Sequence, residues 1–213
     1  MKINNPPYLQ IALDLVDKTK LERILSKIPD SDKILLEAGT PLIKKFGIDI
    51  VKFIREFHPA SYTIADMKTL DVGWLEVQIA AEASANAVAI SGLAPNETLV
   101  SSIEEAEKRR VDILLDCMNV ESPSTILENL TKKPEVVLFH RGIDQEGKTD
   151  HPWNKIKLIK AKFPESKTAV AGGLNLETSA RALNNGADII IIGRAITQAD
   201  NIKATINDFL HLL

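Results

Sequence analysis

The fold class this sequence predicts is α/β, a (β/α)8 barrel with a parallel eight-stranded core, and three observations predict it. Short apolar runs alternate with longer amphipathic ones eight times along the chain. The apolar runs are continuous, which is the pattern of parallel strands buried on both faces. No repeat, low-complexity tract or linker divides the series. Eight βα units are the number that closes a barrel. An open doubly wound sheet takes the same elements with two left over.

The first strand covers 9–14, and its helix over 18–28 is stopped by Pro29. The second strand covers 33–37. Thr40-Pro41 supplies an N-cap and a first-turn proline for a helix expected to run to about residue 57. Tyr62-Thr63-Ile64-Ala65 is the third strand, closed by Asp66-Met67-Lys68-Thr69-Leu70-Asp71. A helical pattern then starts at Trp74 and ends near residue 84. The fourth strand, 87–91, is followed by a helix over 96–110, and the fifth, 111–116, by one over 124–131. The sixth strand, 136–140, leads through a polar, glycine-bearing loop over 141–152 to a helix over 153–163. The seventh, 168–171, is followed by a helix over 178–185 that Gly186 closes at C′. The eighth covers 189–193, and the last helix reaches residue 212. Residues 1–7 read as a loose lead-in, so 1–213 is expected to be one barrel domain.

The length of 213 residues, 45% hydrophobic and 26% charged, suits one soluble globular domain. A net charge of −3 offers no general attraction to nucleic acid or anionic membranes. The lone Cys117 has no intrachain partner, and the start of the chain has no apolar signal core. No run approaches the ~20 apolar residues of a membrane helix. These features imply a cytoplasmic protein.

In a barrel of this kind, chemistry gathers at the C-terminal ends of the strands. Those ends read Asp14, Glu37, the Asp66/Lys68/Asp71 group, Ser91, Asp116 and His140. Strand alternation puts Asp66 and Lys68 on one face, although that spacing also suits a surface ion pair. Five carboxylates converging on one mouth repel one another unless a cation relieves them. Glu37 and Asp66, hard oxygen donors on neighbouring strands, suit Mg²⁺. The seventh strand ends in Ala171-Gly172-Gly173 and the eighth in Gly193-Arg194. Glycines there let backbone N–H groups approach a phosphate, and Arg194 adds a charge-assisted bond. Tight turns alone would also explain those glycines.

The D-x-K-x-x-D pattern of Asp66, Lys68 and Asp71 resembles the orotidine 5′-monophosphate decarboxylase suprafamily. So do Ala12-Leu13-Asp14-Leu15, the run from Glu37 through Gly39-Thr40-Pro41 to Lys44, and His140-Arg141-Gly142-Ile143-Asp144. The resemblance extends from about Leu9 to the final helix. A glutamate at position 37 is similar to the metal-dependent branch, where the orotidylate decarboxylases carry lysine. Ile143, where the gulonate-phosphate decarboxylases have a second arginine, and Ala171, where they tend to have threonine, resemble the hexulose-phosphate synthase branch instead.

That resemblance implies an aldol lyase, Mg²⁺-dependent with Mn²⁺ as substitute, that joins formaldehyde to C1 of the sugar phosphate D-ribulose 5-phosphate through an enediolate. Fixation and release of formaldehyde are equally compatible with it. A keto-gulonate-phosphate decarboxylase and a non-catalytic phosphate-binding barrel are the alternatives. By resemblance Glu37 and Asp66 hold the metal, and Lys68 stabilises the oxyanion. His140 moves the C1 proton, its ordinary pKa lying near neutrality. Asp116 and Asp14 orient substrate hydroxyls. Asp71 reaches into a partner's site, which implies a homodimer with shared active sites. His58 and His211 look like surface residues, His151 like part of a mobile loop. Trp74 and Trp153 suit packing or an interface.

Overall fold

Each apolar run becomes a strand because its branched side chains pack well on a pleated, doubly covered sheet. In a computed structural model, which describes residues 3–145, 147 and 150–213, the strands are β1 (Tyr8–Leu13), β2 (Ile34–Ala38), β3 (Tyr62–Thr69), β4 (Ala87–Ser91), β5 (Asp112–Asp116), β6 (Val136–His140), β7 (Lys167–Ala171) and β8 (Ile189–Ile192). Each pairs in parallel with the next, and β1 with β8 closes the barrel. Met1 and Lys2 of the expected lead-in, and Glu146, Lys148 and Thr149 of the expected loop, lie outside the described residues.

The helices between them are α1 (Lys18–Leu25), α2 (Thr40–Phe46), α3 (Ile50–Phe57), α4 (Gly73–Glu82), α5 (Asn96–Arg109), α6 (Pro123–Asn129), α7 (Trp153–Lys162), α8 (Leu176–Asn184), α9 (Arg194–Thr197) and α10 (Ile202–Leu210). The single helix expected after the second strand is two, because Gly47 at φ +80 breaks it. The short α9, begun directly after Gly193, had no separate signal in the sequence. Residues 3–7 are not a loose lead-in at their start: Ile3 is buried and joins Tyr8 in the barrel's interior cluster.

Alternation sorts the strand residues into two cores. Outward positions such as Leu9, Ile11, Val88 and Ile190 pack against the helices. Inward positions such as Tyr8, Leu35, Ile64, Leu114 and Ile191 fill the barrel. This leaves the last inward residue of each strand at the open upper end, where the carboxylates sit.

The lower rim is tied shut by a repeated device. Asn86, just before β4, accepts the Thr63 N–H of β3 at 2.8 Å. Glu135, before β6, accepts the Ile113 N–H of β5 at 2.7 Å. Asp188, before β8, accepts the Thr168 N–H of β7 at 2.8 Å. The Tyr62 hydroxyl donates to Asp112 on the same rim. His58, expected on the surface, is instead buried and ties α3 to α1 through Nε2 and the Leu25 carbonyl at 2.9 Å. Among the described residues, no helix is long and apolar enough to cross a membrane.

Candidate active site

The upper end of β3 departs from regular alternation. Asp66 pairs with Ala89 and Thr69 with Ile90, so Met67 and Lys68 form a bulge. Lys68 has φ +48, a left-handed conformation that costs of order 1–3 kcal/mol for a non-glycine residue. Asp66 and Lys68 do meet, as the spacing predicted, but through this bulge rather than through strand alternation. The Lys68 ammonium donates to Asp66 Oδ2 at 2.9 Å and Oδ1 at 3.2 Å, and to Asp116 Oδ2 at 2.8 Å. Burial alone would disfavour its charge; the carboxylates of Asp66 and Asp116 outweigh that and raise its pKa above the ordinary lysine range.

Asp116 is 2% exposed and both of its carboxylate oxygens have partners. Its Oδ2 takes Lys68 and lies 2.9 Å from His140 Nδ1, and its Oδ1 accepts the Met118 N–H at 2.9 Å. Although burial opposes ionisation, the His140 contact and the Lys68 charge hold its carboxyl down to about 2. An ionised Asp116 can only accept, so Nδ1 of His140 carries the hydrogen of this contact. The arrangement differs from the expectation that Asp116 contacts substrate: it stands behind Lys68 and His140 and does not line the cavity.

That cavity, about 870 Å³, occupies the upper mouth. Asp14, Glu37, Asp66, Lys68, His140 and Arg194 line it, over an apolar floor that includes Ile64, Ala89 and Leu114. Glu37 is 8% exposed, and Gln10 donates an N–H to its Oε2. Burial first, then the charges of Asp66 and Asp14, push its carboxyl well above the ordinary range. Thr40 Oγ1, at the start of α2, lies 2.7 Å from Asp66 Oδ2 and donates to it. Asp14 faces solvent on one side, yet the cavity wall and the Asp66 charge raise its carboxyl too. A Cβ at Gly39 would fall 2.0 Å from Asp14 Oδ1, so a side chain there would displace the Asp14 carboxylate.

The donor set fits a hard divalent cation. Among the described residues, no three His, Cys, Asp or Glu side chains form a metal cage, but Mg²⁺ commonly takes only one or two carboxylates and keeps water elsewhere. Glu37 and Asp66, on the adjacent strands β2 and β3, supply two. Burial first, and then the repulsion from Asp66 and Asp14, disfavours the Glu37 charge, and a bound cation would offset both.

Gly172, Gly173 and Gly193 also line the mouth. Gly172 has φ +102, and a Cβ there would lie 2.0 Å from the Arg141 carbonyl oxygen, so its glycine is required by the protein's own packing. Arg141 returns the contact by donating from Nη2 to the Gly172 carbonyl at 3.0 Å. Gly193 has room for a Cβ, its nearest neighbour being 3.7 Å away. Ser91 is used locally, its Oγ accepting the Leu93 N–H at 3.2 Å.

Asp71 lies outside the cavity and is exposed; its Oδ1 accepts the Val72 N–H at 2.8 Å. Around it Leu70, Val72, Trp74 and Leu75 are exposed apolar side chains, Trp74 at 49%. His151 is absent from the cavity lining and is buried against Trp153, with ring centroids 4.9 Å apart. Burial, then the Arg141 charge, lowers its pKa to about 4. Gln10 and Thr40 are the site residues that sequence reasoning missed. Gln10 had one signal, a polar residue in an otherwise apolar strand.

Comparison with known proteins agrees with this fold. A model for the "Orotidine 5'-phosphate decarboxylase / HUMPS family" matches residues 7–209. A bifunctional enzyme Fae/Hps of Methanothrix thermoacetophila is 45% identical over 213 residues, all of this chain and 54% of that protein. The chain thus spans about half the length of the curated relatives it matches. A solved 3-hexulose-6-phosphate synthase superposes with a TM-score of 0.84 at 28% identity, over 97% of this chain and 99% of that one. The 3-hexulose-6-phosphate synthase of Salmonella typhimurium gives a TM-score of 0.89 at 26% identity, over 97% and 98%.

Proposed function

Because the chain belongs to the orotidine 5′-phosphate decarboxylase / HUMPS family, we propose that it is a carbon–carbon lyase that joins formaldehyde to C1 of D-ribulose 5-phosphate, giving D-arabino-hex-3-ulose 6-phosphate. The observation that carries this reading is the Lys68–Asp116–His140 relay at the cavity wall. It leaves one basic nitrogen and one ammonium to serve a carbonyl substrate.

In that reaction His140 Nε2 removes a C1 proton, and the electron pair moves onto the C2 oxygen, giving an enediolate. The Lys68 ammonium stabilises the developing negative charge in a partly buried setting, where such a contact is strongest. C1 then attacks the formaldehyde carbon, the new C–C bond forms, and the carbonyl oxygen takes a proton from His140. The reverse steps release formaldehyde. Asp116 holds both Lys68 and His140 in place, and Asp14 faces the substrate hydroxyls. Mg²⁺ or Mn²⁺ held by Glu37 and Asp66 would supply Lewis-acid positive charge beside the same oxygens. Backbone N–H groups near Gly173 and Gly193, with Arg194, suit the sugar's phosphate.

The reading includes a cytoplasmic homodimer in which Asp71 serves the neighbouring site. The exposed Leu70, Trp74 and Leu75 beside Asp71 support that arrangement. Mixing inactive Asp71→Ala and Lys68→Ala chains should restore part of the activity, because a hybrid holds one site free of both changes. No recovery despite measured subunit exchange would mean that each chain completes its own site.

The direct test offers D-ribulose 5-phosphate, formaldehyde and Mg²⁺ and follows loss of formaldehyde. No loss, with carbon dioxide released from 3-keto-L-gulonate 6-phosphate instead, would assign the decarboxylase reaction.

A further inference from the structure

Gln10 is the anomaly of the barrel interior. It faces inward at the middle of β1, 1% exposed, and its partners across the sheet are the apolar Leu35 and Ile191. Its Nε2 donates to Glu37 Oε2, while its Oε1 is buried with no hydrogen-bond partner among the described residues. A buried amide oxygen left unsatisfied is costly, and native interiors rarely keep one without a reason. Leucine or methionine would fill the same space and match both neighbours. The amide is therefore explained only by what its two ends do.

The donor end acts on the carboxylate that most needs it. Glu37 is crowded by Asp66 and Asp14, and the Gln10 N–H fixes one of its oxygens, so the carboxylate cannot rotate freely. Gln10 is itself one of the residues that line the same cavity. Mg²⁺ gives up its water reluctantly and usually keeps several molecules. A cation polarises those waters into strong donors, and their protons need acceptors. A third carboxylate beside Glu37 and Asp66 would add repulsion; a neutral amide accepts without adding charge.

We propose that Gln10 is a positioning residue of the cation site: its N–H orients Glu37, and its amide oxygen accepts a hydrogen bond from a water that the bound cation retains. This rests on the reading of Glu37 and Asp66 as the cation's ligands. Partners that orient metal ligands typically contribute 10–100-fold in metal affinity, and a bond from retained water satisfies an amide oxygen that the described residues leave without a partner.

The test is Mn²⁺ binding to the full, substrate-free chain, followed by calorimetry, electron paramagnetic resonance and water-proton relaxation. Two apolar variants, Gln10→Met and Gln10→Leu, guard against a packing failure in either one. Each is expected to bind Mn²⁺ about 10–100-fold more weakly than wild type. A thermal melt in the absence of metal checks that each variant is folded at the temperature of the binding measurement. The relaxation of water protons by the bound ion should change as well, because one retained water has lost its acceptor. A folded variant that binds Mn²⁺ within about twofold of wild type, with the same relaxation, overturns the assignment of Gln10. Wild-type protein that binds no Mn²⁺ overturns the cation reading itself, and the assignment with it. Glu37→Gln, expected to abolish binding, separates the two failures.

Discussion

The barrel has two acidic ends, and they are wired in opposite ways. At the lower rim Glu135 and Asp188 each accept a backbone N–H from a neighbouring strand, and Asp112 accepts the Tyr62 hydroxyl. At the upper mouth Glu37, Asp66 and Asp14 face an open cavity and repel one another. Asp116 stands behind them, accepting from Lys68 and the Met118 N–H and lying against His140 Nδ1. The lower carboxylates stabilise the closed sheet. The upper ones leave bonding capacity that a cation and a substrate can use, at the expense of the folded protein.

Four measurements sharpen or break this contrast, taken from the largest expected effect downward. Exhaustive chelation should abolish turnover, and added Mg²⁺ or Mn²⁺ should restore it. Full activity of the chelated protein would mean that the upper carboxylates need no cation. The second is His140→Asn, which keeps similar size but has no useful basicity near neutral pH. General-base removal is worth ~10²–10⁴-fold. Exchange of one C1 proton of ribulose 5-phosphate with deuterated water, measured without formaldehyde, should slow by at least the lower figure. A wild-type rate would assign the base elsewhere.

The third compares stability at the two ends. Tyr62→Phe leaves Asp112 without its buried donor and should cost ~1–3 kcal/mol. That corresponds to a loss of roughly 2–4 °C per kcal/mol in melting temperature, with turnover unchanged. Glu37→Gln should do the reverse, raising the melting temperature of the metal-free protein at neutral pH while removing activity. The sign follows from linkage. The folded carboxyl titrates above its unfolded value, so its favourable contribution is complete below the unfolded pKa and is lost as pH rises through the folded one. A lower melting temperature for metal-free Glu37→Gln at neutral pH would remove the contrast between the ends.

The smallest effect concerns acid. Asp116 titrates at about 2 when folded, below the ordinary ~3.9 of aspartate. Its stabilisation is therefore full above the ordinary value and lost as pH falls toward 2. An Asp116→Asn variant should show a shallower loss of melting temperature between pH ~4 and ~2 than wild type does. Parallel curves would mean that the contacts of Asp116 contribute nothing to acid stability.

Some of this was legible from residue order. Eight continuous apolar runs fixed eight parallel strands, since each strand's hydrophobic pattern is local and survives without knowledge of its neighbours. The strand ends then placed Glu37, Asp66, Lys68, His140 and Arg194 on one mouth, because a closed parallel barrel brings every C-terminal end to the same face. The D-x-K-x-x-D spacing brought Asp66 and Lys68 together, as observed, but for an incomplete reason. Alternation predicts a shared face, whereas the observed contact depends on the bulge at Met67 and Lys68 and on the left-handed Lys68 backbone.

What tertiary structure alone decided are relations between side chains far apart in the chain. Asp116 lies 48 residues from Lys68 and 24 from His140, and no local pattern says that it contacts both and stands behind the cavity wall. Gln10 reads as an interruption of an apolar strand until closure sets it against Glu37. The rim residues Asn86, Glu135 and Asp188 read as loop residues until parallel register brings each beside an unpaired strand N–H. Periodicity and residue type determine which way a side chain points and what it can do chemically. Which partner it meets depends on barrel closure and register, through contacts whose sequence separation leaves no periodic trace.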